Sequence, residues 1–234
     1  MISRKKTFNL SFLLVVILCS VGCTTSQIYQ SSTSMAVPLS SSILIFPIDV
    51  QVVEDQVLSS AEALADESKG LATKLMVSFE DYLFDKGVEV VSYGYDSIQD
   101  QHMSIINQAA IMREAATSSS SRNYVLDSGS LSLLSKYDAT YVLFSDYKEV
   151  TESDAKMAVD IILTLAIGSN TSNAGKKGYS LSLFDLRDGQ LAWSYTQPFG
   201  GAGGGEVGSG TLSVGDNESL IKSTTEKMFS NFPL

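Results

Sequence analysis

The side chains of this chain that could do chemistry are few, and their spacing narrows what they can do. The single histidine, His102, lies between Gln101 and Met103. One imidazole cannot build a histidine-rich metal site, and Cys19 and Cys23 are the only thiols, so a soft metal centre or a Cys-His nucleophile pair is not expected. No Gly-x-Ser-x-Gly elbow accompanies a strand, so His102 is expected to be a solvated or capping residue. Carboxylates are plentiful, and Asp49, Glu80, Asp81, Asp85, Asp146 and Asp160 fall near expected strands or helix faces. Two acids set across a cleft could hydrolyse a glycosidic bond, which makes a cell-wall hydrolase the alternative function. Solvated surface acids are the expectation, and the spacing of a calcium loop is missing. Gly203-Gly204-Gly205-Glu206-Val207-Gly208 has the form of a dinucleotide fingerprint. Its context is wrong, because Pro198-Phe199 precedes it and Thr211-Leu212-Ser213-Val214 continues as extended chain where a helix should open. The expectation is a loop, with no catalytic residue, no cofactor and no metal.

The cysteine at position 23 is different. Arg4, Lys5 and Lys6 precede a stretch from Phe8 to Val21 with a dense apolar centre at Phe12, Leu13, Leu14, Val15, Val16, Ile17 and Leu18. That is the order of a secretory signal, and an apolar core of about a dozen residues falls short of the roughly 20 that span a bilayer as a helix. Ser20-Val21-Gly22-Cys23 then resembles the lipobox of bacterial lipoproteins, with Ser20 where that pattern favours leucine. The resemblance implies removal of residues 1–22, a diacylglycerol on the Cys23 thiol, and Cys23 as the new N-terminus. Thr24, which is not aspartate, implies sorting to the outer membrane with the domain facing the periplasm. Cys19 would leave with the signal, so no disulfide could form within the mature chain.

The whole chain carries 16 basic and 26 acidic groups; removal of residues 1–22 takes three basic groups and no acid, leaving a formal charge of −13. Such a surface repels phosphate backbones and anionic headgroups, so nucleic acid is not an expected partner. Attachment to a membrane must come from the lipid on Cys23, and stable anchoring takes more than one acyl chain.

Residues 23–42 are rich in Ser and Thr without apolar period and are expected to form a flexible tether, long enough at some 15 to 20 residues to lift a domain tens of ångströms. Residues 43–234 suit one α/β domain. Ile43-Leu44-Ile45-Phe46 before Pro47 predicts a buried strand. Between Glu54 and Lys86, Leu64, Leu71, Leu75, Phe79 and Leu83 recur at helical spacing, with Lys86-Gly87 as the stop and Val88-Glu89-Val90-Val91 as the next strand. Helices are expected over 102–116 and 124–136, and a strand over Thr140–Phe144. Met157 to Ile167 alternates as a long strand. Tyr179 to Leu186 and Gln190 to Tyr195 flank Arg187-Asp188-Gly189 as a hairpin. Residues 216–231, capped by Asp216 or Asn217, predict a closing helix. Strands mixed with helices in this order imply a mixed β-sheet packed with helices, ending in a hairpin and a C-terminal helix.

That order, with Lys86-Gly87, Tyr137-Asp138-Ala139 and above all Asp185-Leu186-Arg187-Asp188-Gly189-Gln190-Leu191-Ala192-Trp193, resembles a group of bacterial envelope lipoproteins with a fold similar to the amino-terminal domain of TolB. The group includes the curli-secretion lipoprotein CsgG and the penicillin-binding-protein activator LpoB. The resemblance spans roughly residues 43 to 231 and implies a non-enzymatic protein that acts by assembly or interaction, including homo-oligomers. A sharper form has Met157–Ile167 and Tyr179–Leu186 inserting into a membrane on oligomerisation, since about 11 residues suffice for a strand to cross. The Gly-rich run Gly200–Gly210 and the connection Ser169–Gly178 depart from the group. A Cys23→Ser variant is expected to lose acyl labelling and to leave the membrane fraction in cell fractionation; unchanged membrane association would refute lipidation.

Overall fold

The computed structural model describes residues 27–30, 37–38, 40–56, 62–93, 105, 125–153, 176–197, 215 and 217–234. The leader with Cys23, His102, Asp160, the strand Met157–Ile167 and the glycine run lie outside the described residues. So does the expected helix 102–116, except for Ile105, which is helical and buried.

Eight strands form one mixed sheet: β1 (Gln27–Gln30), β2 (Ser42–Ile45), β3 (Asp49–Asp55), β4 (Glu62–Ala63), β5 (Glu89–Ser92), β6 (Tyr141–Glu152), β7 (Lys177–Asp185) and β8 (Leu191–Gln197). The helices described over their length are α1 (Ala65–Asp85), α2 (Ser128–Leu134) and α3 (Glu218–Met228). The strand order is β1-β8-β7-β6-β2-β5. β6 is the axis. Along one side it pairs in parallel first with β2, from Ile43 opposite Tyr141, and then with β3, from Asp49 opposite Asp146. Pro47 separates those two strands: it has no N–H to give to a ladder, while Phe46 N–H still donates to Leu143 O at 3.0 Å. Along its other side β6 runs antiparallel to β7 from Tyr141–Asp185 to Glu149–Lys177.

The strand at Ile43, the strand after Gly87, the 179–195 hairpin and the closing helix stand where they were expected, and four expectations shift. The helix between Glu54 and Lys86 begins only at Ala65, because Val50 and Val52 point inward while Asp49 and Gln51 point outward, a period of two that commits Asp49–Asp55 to the sheet. Ser68 in the first turn then ties α1 to β3: its hydroxyl accepts from Val52 N–H at 2.9 Å and donates to Leu64 O at 2.6 Å. The helix over 124–136 shortens to α2, since Val125 bridges to Gln190, Leu126 N–H donates to Gly189 O, and Asp127 caps the helix by accepting from Ser130 N–H at 2.9 Å. The strand over Thr140–Phe144 runs on to Glu152, because β3 and β7 pair with its polar half on both sides. Lastly, the Ser/Thr-rich stretch is not a tether along its whole length: Gln27–Gln30 pairs with β8, Gln27 opposite Thr196, as an added edge strand. Val37 is buried as well, and its N–H donates to Pro233 O.

Both faces of the sheet are covered. On one, α1 lays down Leu71, Leu75, Phe79 and Leu83, and α3 adds Ile221 and Met228, against Ile43, Ile45, Leu143, Leu181 and Trp193. Phe229 stands edge-on to Phe79 at 4.8 Å, and Phe232 edge-on to Trp193 at 5.1 Å. On the other face Leu134 of α2 and Ile105 cover Leu44, Phe46, Val142, Phe144, Phe184 and Leu191. Among the described residues, no helix is long and apolar enough to cross a membrane.

Two turns need a left-handed residue and have glycine. Gly87, at φ 80°, closes α1, where Val88 N–H reaches back to Leu83 O at 3.0 Å. Gly189, at φ 75°, closes the hairpin, donating to Asp185 O at 2.7 Å. In that turn Arg187 forks onto Asp185; burial pushes the Asp185 carboxyl up, but the Arg187 hydrogen bonds and charge outweigh it and hold it below its ordinary value. A methyl at Gly87 would meet nothing, whereas one at Gly189 would lie 3.3 Å from Val125 Cγ1 and 3.4 Å from the Leu126 backbone. Gly87→Ala is therefore expected to lose about 1–2 kcal/mol of stability from the left-handed backbone alone, and Gly189→Ala more, as read from urea unfolding midpoints at equal m-value.

Candidate functional site

α1 and α3 lie side by side and parallel on the outer layer. Lys74 Nζ donates to Gly215 O at 2.6 Å near the start of α3, the Thr225 hydroxyl donates to Ser78 Oγ at 2.8 Å midway, and Tyr82 lies against Phe229 at 4.9 Å at the far end. Between the helices runs a groove of about 1040 Å³. Ser78, Ile221 and Thr225 form its floor, Val77 its apolar wall, and its rims mix Lys74, Lys86 and Lys222 with Asp81, Asp85, Glu218 and Glu226. Lys86 Nζ stands 5.5 Å above the Tyr82 ring. Val77 is 53% exposed and Phe84, one helical face further along, 76%. Both fall off the i, i+4 stripe that α1 buries. A hydroxyl floor, an apolar wall and rims of both signs can hold a polypeptide segment by hydrogen bonds, apolar contact and paired charge.

A second polar group sits inside the domain. On the face covered by α1 and α3, the far ends of β6, β7 and β8 bring Tyr147, Glu149, Tyr179, Tyr195 and Gln197 together. Glu149 is 1% exposed, and the Tyr147 hydroxyl donates to its Oε2 at 2.9 Å. The hydroxyls of Tyr179 and Tyr195 both turn to Gln197 Oε1, at 3.4 and 3.3 Å. Burial, and then the Glu149 charge, push the Tyr147 phenol far above its ordinary value; burial and Tyr195 do the same to Tyr179. These phenols are thus fixed as protonated donors that hold the strand ends together.

The carboxylates singled out in the sequence fall into two groups on opposite sides of the sheet, with Asp81 and Asp85 both on the rims of the groove. Glu80, Asp81 and Asp85 lie on α1, outside one face of the sheet. Asp49 and Asp146 stand side by side in register on β3 and β6, on the opposite face, where the Ser180 hydroxyl donates to Asp146. Two buried hydroxyls without a partner, Ser145 Oγ and Ser182 Oγ, are likewise on opposite faces. Among the described residues no three His, Cys, Asp or Glu side chains cluster as a metal site. What sequence reasoning passed over is Glu149, whose position in the inward phase of Leu143 and Tyr147 is a usable signal once β6 is known to continue.

No protein-family model matches the chain, and no curated protein matches it significantly. Among solved structures, the PelC dodecamer from Paraburkholderia phytofirmans aligns at 13% identity with a TM-score of 0.37, over 89% of this chain and 99% of that one. The LpoB C-terminal domain from Salmonella enterica aligns at 13% identity with a TM-score of 0.29, over 71% and 85%. The protein CT253 from Chlamydia trachomatis aligns at 11% and 0.31, over 82% and 93%. LpoB belongs to the group that the order of elements resembles. Similarity at this level carries nothing about assembly or activity to this chain.

The buried cluster sets an alkaline limit. A phenol raised in the folded state stabilises fully below its unfolded value of 10.0, and that contribution is lost as pH climbs from there toward the folded value. Tyr147→Phe is expected to lose about 1–3 kcal/mol at neutral pH, by removing a donor from buried Glu149. Above pH 10 its stability should fall less steeply than that of the native protein. Urea unfolding across pH 7 to 11 checks both; parallel pH profiles would show that Tyr147 does not titrate with folding.

Proposed function

We propose that this chain is a lipid-anchored, periplasm-facing protein of the bacterial envelope that acts by binding another protein or further copies of itself. The observation that carries the reading is the charged-then-apolar leader that ends in Ser20-Val21-Gly22-Cys23. Thr24 favours the outer membrane as the place of attachment. The α1–α3 groove is the face we assign to the partner. Its volume suits a helix or extended segment, and exposed Val77 gives such a segment an apolar anchor on α1, with exposed Phe84 two turns further along the helix beyond the groove lining.

A photo-crosslinking residue placed at Val77 or at Phe84 in intact cells is expected to give specific adducts, which a probe at Asp188 in the hairpin turn does not give. The adducts should disappear in the Cys23→Ser background, where the domain is no longer held at the membrane. Adducts from Asp188 alone would move the partner to another face, and their absence from every position would remove the binding reading.

A further inference from the structure

We propose that the end of the sheet where β1 begins is held flat against the membrane surface, with the neighbouring ends of β7 and β8 facing its lipid headgroups. This rests on the reading of Cys23 as the lipidated residue. β1 starts at Gln27, four positions after Cys23, and it is a strand of the sheet with Gln27 opposite Thr196, Ile28 opposite Tyr195 and Tyr29 opposite Ser194. Four residues, fully extended, reach at most about 14 Å. A tether through residue 42 would reach several times further. β7 alone, from Lys177 to Asp185, is roughly 27 Å long at 3.4 Å per residue. The anchor is thus shorter than the domain is tall, and it keeps the start of β1 within about 14 Å of the lipid.

The direction of the strands says which end is held. β1 and β8 are antiparallel, so the start of β1 lies at the end of β8, the start of β7 and the end of β6. The connections 154–175 and 198–214 both leave the sheet there. The composition of that end fits a headgroup layer. In a chain of net charge −10, the strand ends next to β1 carry Lys176 and Lys177 and no carboxylate. Lys177 is partly exposed. The acids of the same end lie further across the sheet, with Glu149 buried under Tyr147, Glu152 at the end of β6, and Glu54 and Asp55 on β3. Lysines attract anionic headgroups, so the sheet end that the short connection brings down is the one suited to them.

The test uses the full-length lipidated protein in phosphatidylethanolamine–phosphatidylglycerol vesicles that contain a nitroxide-headgroup lipid. A fluorophore is attached at Lys177→Cys, at Thr196→Cys as a second site on the same end, or at Asp138→Cys at the opposite end of the sheet. Quenching is expected to be several-fold stronger at 177 and 196 than at 138. A Gly/Ser insertion of about ten residues between Thr24 and Thr25 is expected to abolish that difference while flotation with the vesicles persists. Equal quenching at both ends in a protein that floats, or a difference that survives the insertion, would overturn this proposal alone. A native protein that does not float would overturn the lipid reading and this proposal with it.

Discussion

β6, twelve residues long, has a ladder with β7 on one side as far as Glu149 and ladders with β2 and then β3 on the other, with helices over both faces, and the rest of the domain is arranged to satisfy it. A buried backbone cannot leave its N–H and C=O groups unpaired, so a strand this long needs partners for its whole length. β2 supplies one side only as far as Leu143; beyond the interruption at Pro47, β3 takes over from Asp146 to Glu152. Period two then sends Leu143 and Tyr147 into the core under α1 and α3, and Val142 and Phe144 into the core under α2. The price of a strand so enclosed is that even Glu149 must be buried, and Tyr147 provides the donor that makes this tolerable.

Elements whose signal is local were legible in the sequence. The turn at Asp185–Gly189 is set by one glycine and its neighbours, and the stripe of Leu71, Leu75, Phe79 and Leu83 is set by helical spacing. Elements defined by distant partners were not. Ser145-Asp146-Tyr147-Lys148-Glu149 is too polar to announce a central strand, and only β3 and β7 make it one. The start of α1 differs because helical spacing counted from Glu54 overlaps residues that alternation at Val50 and Val52 commits to the sheet. At Gln27–Gln30 composition pointed to loose chain, and pairing with β8, far along the sequence, overrode it.

The candidate groove shows the same division. Val77 departs visibly from the buried stripe of α1, so the α1 wall of the groove could be read from spacing. The other wall needs α3 to settle parallel to α1, which depends on Phe229 meeting Phe79 and Tyr82, and on Phe232 meeting Trp193. These are aromatic contacts between residues far apart in the chain, and no window of sequence contains both partners. The groove is in this sense a product of core packing, and its width follows from ring contacts on the inner side of the same two helices.

The edge position of β1 also has a mechanical meaning. Where Cys23 is the point of attachment, any pull between membrane and domain enters through a four-residue strand before it reaches the sheet. Load along the strand axis would shear its bonds to β8 together, whereas load from the side would open them one after another, at far lower force. Once β1 has peeled away, the next backbone tie among the described residues is the hydrogen bond from Val37 to Pro233. Such a domain would yield in two stages, first lengthening its leash and only then exposing its core to strain.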